Sequence, residues 1–483
     1  MNYDIRNILK HASIYSVGRF LSKAIGFLMI PLYTNYLSPQ DYGIIEVLTI
    51  FLILSNIIIQ GGVSAAVFNF YNAYDKEIDK KEIISTVFIF LTTIGFIFLT
   101  VLSLFAEKIS ILLTNTGGYG NYVNLMLISF YFSIVGSVPE IYLLAQKRSV
   151  LFTTISLGTL VVDLSMNIYM VAIAKLGIAG ILYSSIIGRF LNAACLLIII
   201  IPMVGLKLNF SKLKKVLRFA YPIVPAELAL FVYSFSDRLF LSHMSDLKSL
   251  GLYSLGYKFA FMISLLIVQP FMQIWQQEMY EVKKKADAPN IFGSIYTYLI
   301  GAILVVGAVM SILIKDVVSI MASSEYLEAW KVVPIIAFAY VFRATYLYFK
   351  MGMFFQNKTS YLSYATMGGA IVVIILNYLL IPNYKGIGAA LSLLGSSAVL
   401  AVVSFFVSQR LYRIKIEVIR LLKLFLIVGT ILALYLFINI DSRALSLAFR
   451  FTSIPVMLFA MYIAGFFNKI EREKIRKLAL SKI

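Results

Sequence analysis

Apolar runs of about 20 residues recur along the whole chain, each long enough to cross a hydrocarbon layer of roughly 30 Å, with short polar loops between them. An unpaired peptide group in that medium costs several kcal/mol, so the runs are driven into helices. With 60% hydrophobic and only 13% charged residues, and a mean hydropathy of +0.89, no water-soluble fold could hide the apolar surface. The chain therefore reads as an all-α polytopic membrane protein.

Apolar windows place about fourteen transmembrane helices, near 14–36, 43–70, 83–105, 122–144, 151–173, 178–201, 219–243, 251–277, 291–314, 332–355, 360–381, 387–409, 417–439 and 446–467. Both ends and the loops after even-numbered spans carry roughly 25 Lys/Arg, including Lys207, Lys212, Lys214, Lys215, Arg218, Arg410, Arg413 and Lys415, against about 7 in the other loops. That alternation predicts cytoplasmic termini and a multi-pass protein. It also explains the net charge of +19 without a basic domain for nucleic acid. Arg19 and Lys23 interrupt the first apolar stretch and no cleavage site follows it, so it is read as a retained helix, not a secretory signal. The single Cys195 excludes an intrachain disulfide. Pro31, Pro225 and Pro270 are expected to kink their helices.

The chain matches itself weakly at a shift of about 208 to 210 residues. Asp41-Tyr42-Gly43-Ile44 falls on Ser249-Leu250-Gly251-Leu252, and Gln60 and Tyr71 fall on Gln269 and Tyr280. Asn167 to Ser184, with Lys175-Leu176-Gly177-Ile178-Ala179-Gly180, falls on Asn377 to Ser392, with Lys385-Gly386-Ile387-Gly388-Ala389-Ala390. Matching points are an even number of helices apart, so the copies enter the membrane in the same direction. The expected organisation is a six-helix lobe over 1–205, a second over 206–410 related to it by pseudo-two-fold symmetry, and two further helices with a basic cytoplasmic tail over 411–483.

Ionisable side chains deep in a span need a wet cavity or a partner. At 1.5 Å per residue, Arg189 and Arg343 lie roughly 16 Å into their spans and Asp163 about 18 Å into its own. Arg19 and Lys23, four residues apart, make a basic stripe on the first helix. These deep cations outnumber the deep carboxylates Asp163 and Glu227, which points to an anionic cargo and makes Arg19, Lys23, Arg189 and Arg343 the candidate substrate-binding residues. A salt bridge from Asp163 to Arg189 is the competing structural reading. Asp163 and Glu227 are candidate coupling sites for H⁺ or Na⁺. Arg238, Lys258 and Lys350 lie nearer span ends, where long side chains can snorkel to headgroups. Asn56, Gln60, Gln269, Gln273, Gln276, Gln277 and Asn377 are candidates to line a hydrated path, or to hydrogen-bond between helices.

Chemistry-bearing motifs are missing. His11 and His243 have no metal-ligand or catalytic spacing, and no Gly-rich phosphate loop is present. The expectation is a protein that is not an enzyme and holds no metal or cofactor. The loops at 106–121 and 315–331 are short for a glycosyl-polymerase or ligase, and Gly117-Gly118-Tyr119-Gly120 reads as a flexible turn.

The segment Gly26-Phe27-Leu28-Met29-Ile30-Pro31-Leu32-Tyr33-Thr34-Asn35-Tyr36-Leu37-Ser38-Pro39-Gln40-Asp41-Tyr42-Gly43 resembles the first-hairpin signature of a known family. This is the polysaccharide-exporting branch of the multidrug/oligosaccharidyl-lipid/polysaccharide exporter superfamily, which includes Wzx-type O-antigen flippases. Ser236-Asp237-Arg238 with Leu250-Gly251-Leu252-Tyr253-Ser254 is similar to that family's second copy of the hairpin. The resemblance implies two six-helix lobes around a central cavity that opens alternately to either side. It also implies a polyprenyl-diphosphate-linked oligosaccharide, flipped from the cytoplasmic to the outer face of a bacterial inner membrane, and other polysaccharide-assembly proteins as partners. Arg19 is carried over on the first-helix arginines of lipid-diphosphate flippases. Two other readings stand beside this one: a cation-coupled drug exporter of the same superfamily, and a non-transporting scaffold in a polysaccharide-assembly complex. A lipid-linked-sugar polymerase ranks third among them for want of a large loop.

Overall fold

The computed structural model describes residues 26–358, 360–437 and 443–467, and among these every regular element is helical. In order they are α1 (Ile30–Tyr36), α2 (Pro39–Gln60), α3 (Val63–Ala73), α4 (Glu77–Leu104), α5 (Ala106–Thr114) and α6 (Gly120–Ala145). Next come α7 (Ser149–Ile168), α8 (Gly177–Val204), α9 (Phe210–Ala220), α10 (Val224–Met244), α11 (Leu247–Ile263) and α12 (Gln269–Lys283). The last are α13 (Ala288–Met321), α14 (Val333–Phe355), α15 (Ser360–Leu411), α16 (Val418–Phe437) and α17 (Arg443–Ile463).

Ten helical segments among the described residues are long and apolar enough to cross a membrane. One of them, α15, is 52 residues long and is broken at Lys385, where φ is 47° and ψ −127°. At 1.5 Å per residue it would measure about 78 Å unbroken, so it supplies two crossings. With α16 and α17, every expected span from the second to the fourteenth falls on a described helix. Pro31 stands in the first turn of α1, the position that tolerates a residue without an N–H, whereas Pro225 follows a 3-10 turn over Tyr221–Ile223 and Pro270 a π turn over Ser264–Val268, irregularities inside the continuous segments Phe210–Met244 and Leu247–Lys283.

Two compact units hold the chain. The first runs to Ser254 and takes in Met321–Tyr326; the second comprises Leu255–Ile320 and the residues from Leu327 onward. In the first unit the Leu-Ser-Pro turn starts α2 through a capping box, Ser38 accepting from the Asp41 N–H and Asp41 from the Ser38 N–H. The equivalent glycines of the two hairpin copies then meet there. A Cβ on Gly43 would lie 2.1 Å from the Leu247 carbonyl oxygen, and one on Gly251 1.8 Å from that of Pro39. Only glycine permits α2 and α11 to approach this closely.

The other matched segment also has a shared geometry. Lys175 and Lys385 both have positive φ, 52° and 47°, Asn167 and Asn377 are buried, and so are Ser184 and Ser392. The 117–120 turn is pinned and not merely flexible: the Glu107 carboxylate accepts from Gly118 N–H at 2.6 Å and Gly120 N–H at 3.1 Å.

Candidate functional site

Four helices of the first unit each carry polar residues at helical spacing on one face. These are Asn56 and Gln60 on α2, Ser133, Ser137 and Glu140 on α6, Ser156, Thr159 and Asp163 on α7, and Ser185, Arg189 and Asn192 on α8. Intervals of three, four and seven residues stack side chains along a helix, so the stripes converge. Together they line a cavity of about 370 Å³. Gly136 and Gly188 supply its small positions. A Cβ on Gly188 would fall 2.9 Å from Asp163 Oδ1, so the glycine makes room for the carboxylate. Gln60 Nε2 donates to Asn56 Oδ1 at 2.8 Å, and Asn192 Nδ2 to Thr159 Oγ1 at 3.3 Å.

Arg189 and Asp163 share this cavity and attract one another through space. Among the described residues no hydrogen bond, and no ion pair within 4.0 Å, joins them. The expected salt bridge is thus approached without being closed, and the guanidinium keeps donors for another acceptor. Glu140 adds a second carboxylate that sequence reasoning missed because it sits close to the expected end of its span. The available signal was its place in the seven-residue stripe Ser133, Ser137, Glu140. The cavity is therefore of mixed charge, with one guanidinium and two carboxylates in its lining.

Arg343 lies on α14 in the second unit, beside Tyr340, Leu393 and Ser397. Glu227 is half-buried in the first turn of α10, its Oε2 3.3 Å from where a Cβ on Gly61 would stand, and it does not line the polar cavity. Arg19 and Lys23 lie outside the described residues. Lys350 is half-buried, with its ammonium 5.1 Å from the centre of the Tyr346 ring, and Lys258 is half-buried.

Arg238 corrects the snorkelling expectation. It is only 3% exposed, and its guanidinium meets Glu46 Oε1 at 2.9 Å, Asp237 Oδ1 at 3.1 Å and the Ser234 carbonyl at 3.2 Å. The Tyr253 hydroxyl donates to Asp237. Two carboxylates within reach outweigh the headgroups, because a buried cation is retained where hydrogen-bonded anions surround it. This network ties α2, α10 and α11 together in the first unit.

On the cytoplasmic side predicted from the loop charges, Asn209 caps α9 by accepting from the Ser211 and Lys212 N–H groups. Lys212 reaches back to Asp79 at 2.8 Å and to Glu82.

Comparison with known proteins places these observations in a family. A family model described as a polysaccharide biosynthesis protein matches residues 34–288. An uncharacterized membrane protein of Haemophilus influenzae is 23% identical over 271 residues, a match that covers 54% of this chain and 63% of that relative. The chain thus spans less than two thirds of that relative's length. Among solved structures, the lipid II flippase MurJ in an inward closed conformation superposes with a TM-score of 0.77 at 16% identity, covering 93% of this chain and 98% of that one. An inward-facing multidrug resistance MATE family transporter gives 0.64 at 12% identity, covering 80% and 94%. The fold is the one these two transporters share.

Proposed function

Because the chain belongs to the polysaccharide biosynthesis protein family, whose model it matches over residues 34–288 of 483, we propose that it is a flippase. It would translocate a polyprenyl-diphosphate-linked oligosaccharide from the cytoplasmic to the outer leaflet of a bacterial inner membrane, with both termini cytoplasmic, for cell-surface polysaccharide synthesis. In this reading the lobes 1–205 and 206–410 alternate access, and 411–483 is an appended pair of helices. The observation that carries it is Arg189, a permanent cation lining a polar cavity within a membrane-spanning helix. At 370 Å³ the cavity falls in the range of small-ligand sites, ~300–1,000 Å³. It would take the diphosphate head, leaving the polyprenyl chain in lipid.

Asp163 gives this site a coupling role. With Asp163 ionised, its charge offsets Arg189 and disfavours an anion; with a proton on Asp163, the guanidinium field is open to a diphosphate. Proton uptake would therefore accompany loading, and proton loss release. Glu227, away from the cavity, is the second candidate for H⁺ or Na⁺ binding. Arg343, Arg19 and Lys23 would offer further cationic steps for the head group.

The test is reconstitution in liposomes with a fluorescent polyprenyl-diphosphate oligosaccharide, scoring leaflet exchange with and without imposed proton and sodium gradients. Exchange above protein-free vesicles is expected, together with loss of gradient dependence in Asp163→Asn. Exchange no faster than in empty vesicles would remove the flippase reading, and unaltered coupling in Asp163→Asn would remove the role of that carboxylate.

A further inference from the structure

Helix α12 is amphipathic in a way a membrane-crossing segment can rarely tolerate. It belongs to a segment, Leu247–Lys283, long and apolar enough to span, yet Gln269, Gln273, Gln276 and Gln277 are all exposed, followed by Tyr280 at 46%. At about 100° per residue these five side chains fall within an arc of roughly 100° and extend about 16 Å along the axis. They form one continuous stripe that runs from just past the expected span end at 277 to about 12 Å inside it.

The opposite face is locked. Trp275, 5% exposed, stacks on Tyr348 at 5.3 Å between centroids with a 10° interplanar angle and meets Phe292 edge-on at 5.6 Å. Met279 and Val282 are buried on the same side. Just before the helix, a π turn over Ser264–Val268 closes through the Gln269 N–H to the Ser264 carbonyl. Each π turn inserts one residue and so rotates the following helix by roughly 100°. The turn and the Trp275 anchor together fix where the amides point.

Acyl chains cannot solvate a row of carboxamides, so this face must be wet or covered by polar groups. The stripe carries no formal charge, which fits a phosphate poorly: anion sites use Arg, Lys or helix N-termini. A carboxamide carries two donors and two acceptor lone pairs, the match for neighbouring hydroxyls, of which Gln269 uses one donor on Ser264 Oγ at 3.5 Å, and the Tyr280 ring, 46% exposed and packed edge-on against Phe355, offers an apolar plate for a sugar ring.

We propose that Gln269, Gln273, Gln276, Gln277 and Tyr280 form a carbohydrate-binding face that holds the neutral glycan of the cargo, separately from the group that holds its phosphates. This rests on the flippase reading above. It makes the stripe the determinant of glycan affinity, with Gln276 and Gln277 on its two edges.

The experiment uses the full chain in lipid nanodiscs and two probes of equal lipid length, a polyprenyl diphosphate and a polyprenyl-diphosphate oligosaccharide. Gln276→Leu/Gln277→Leu is expected to weaken the glycan-bearing probe about tenfold, equivalent to ~1.4 kcal/mol, while the sugar-free probe binds as to the wild type. Equal loss of both probes, or no loss of either, overturns the assignment. A second measurement stands apart from the folding of that variant: Gln276→Cys, made in a Cys195→Ser background, should react with a water-soluble maleimide and be protected by the glycan-bearing probe alone. Absence of labelling, or equal protection by both probes, also overturns it. If the wild type binds neither probe, the flippase reading itself fails. If it binds both with the same affinity, only the carbohydrate face fails.

Discussion

Replacing Arg238 by Leu removes the centre of the buried ionic network and leaves two carboxylates facing one another across an apolar side chain. Asp237 and Glu46 are 4% and 14% exposed at their side chains, so neither is rehydrated without a local opening. Removing one partner of such a buried pair destabilises by ~3–5 kcal/mol. Glu46→Leu is milder, about 2 kcal/mol, because Arg238 keeps Asp237 and the Ser234 carbonyl. In the double variant the two effects should fall short of additivity by ~1–2 kcal/mol, since both act through one contact. The assay is unfolding of purified protein during titration from a mild detergent into SDS, with Lys284→Ala as a control, whose pair with Glu281 is exposed at 71% and 66%. The expected order of stability is control, then Glu46→Leu, then Arg238→Leu. An Arg238→Leu variant as stable as the control would refute the assignment of Arg238 to the interior.

Gly251→Ala would set a methyl 1.8 Å from the Pro39 carbonyl, a backbone atom that cannot swing aside. A loss of ~1–3 kcal/mol in the same SDS titration is expected, and Gly43→Ala should act alike. Lys385→Gly should stabilise by about 1 kcal/mol, because φ of 47° with ψ of −127° is accessible to glycine and strained for lysine; a loss of stability would show that the lysine side chain is needed there. Glu107→Ala frees the Gly118 and Gly120 N–H groups, and limited proteolysis should then cut at the 117–120 turn faster than in the wild type.

Helix number was legible because a bilayer turns length and hydropathy into nearly the whole structural signal, and the basic loops supplied a consistency check. Lys175 and Lys385, matched by sequence alone, both have positive φ. The site was legible only in part. Depth in a span identified Arg189 and Asp163 as buried polar groups and brought Asn56 and Gln60 onto the same shortlist. Depth does not report azimuth, however, so it could not reveal that Arg238 turns inward to Glu46 on another helix. Nor could it reveal Glu140, whose place near a helix end resembled that of a snorkelling group. Those partners lie 192 residues apart in the case of Arg238 and Glu46, and nothing local in a sequence encodes such a contact.

In the flippase reading, Arg189 binds the charged head of the cargo during its passage through the membrane. Leaflet exchange of a fluorescent polyprenyl-diphosphate oligosaccharide in liposomes, compared between wild type, Arg189→Lys and Arg189→Glu at equal protein density, addresses it directly. Partial exchange is expected for Arg189→Lys, which keeps the charge but not the forked geometry, and none above empty vesicles for Arg189→Glu. Full wild-type exchange by Arg189→Glu, in a protein shown to be folded, would contradict it.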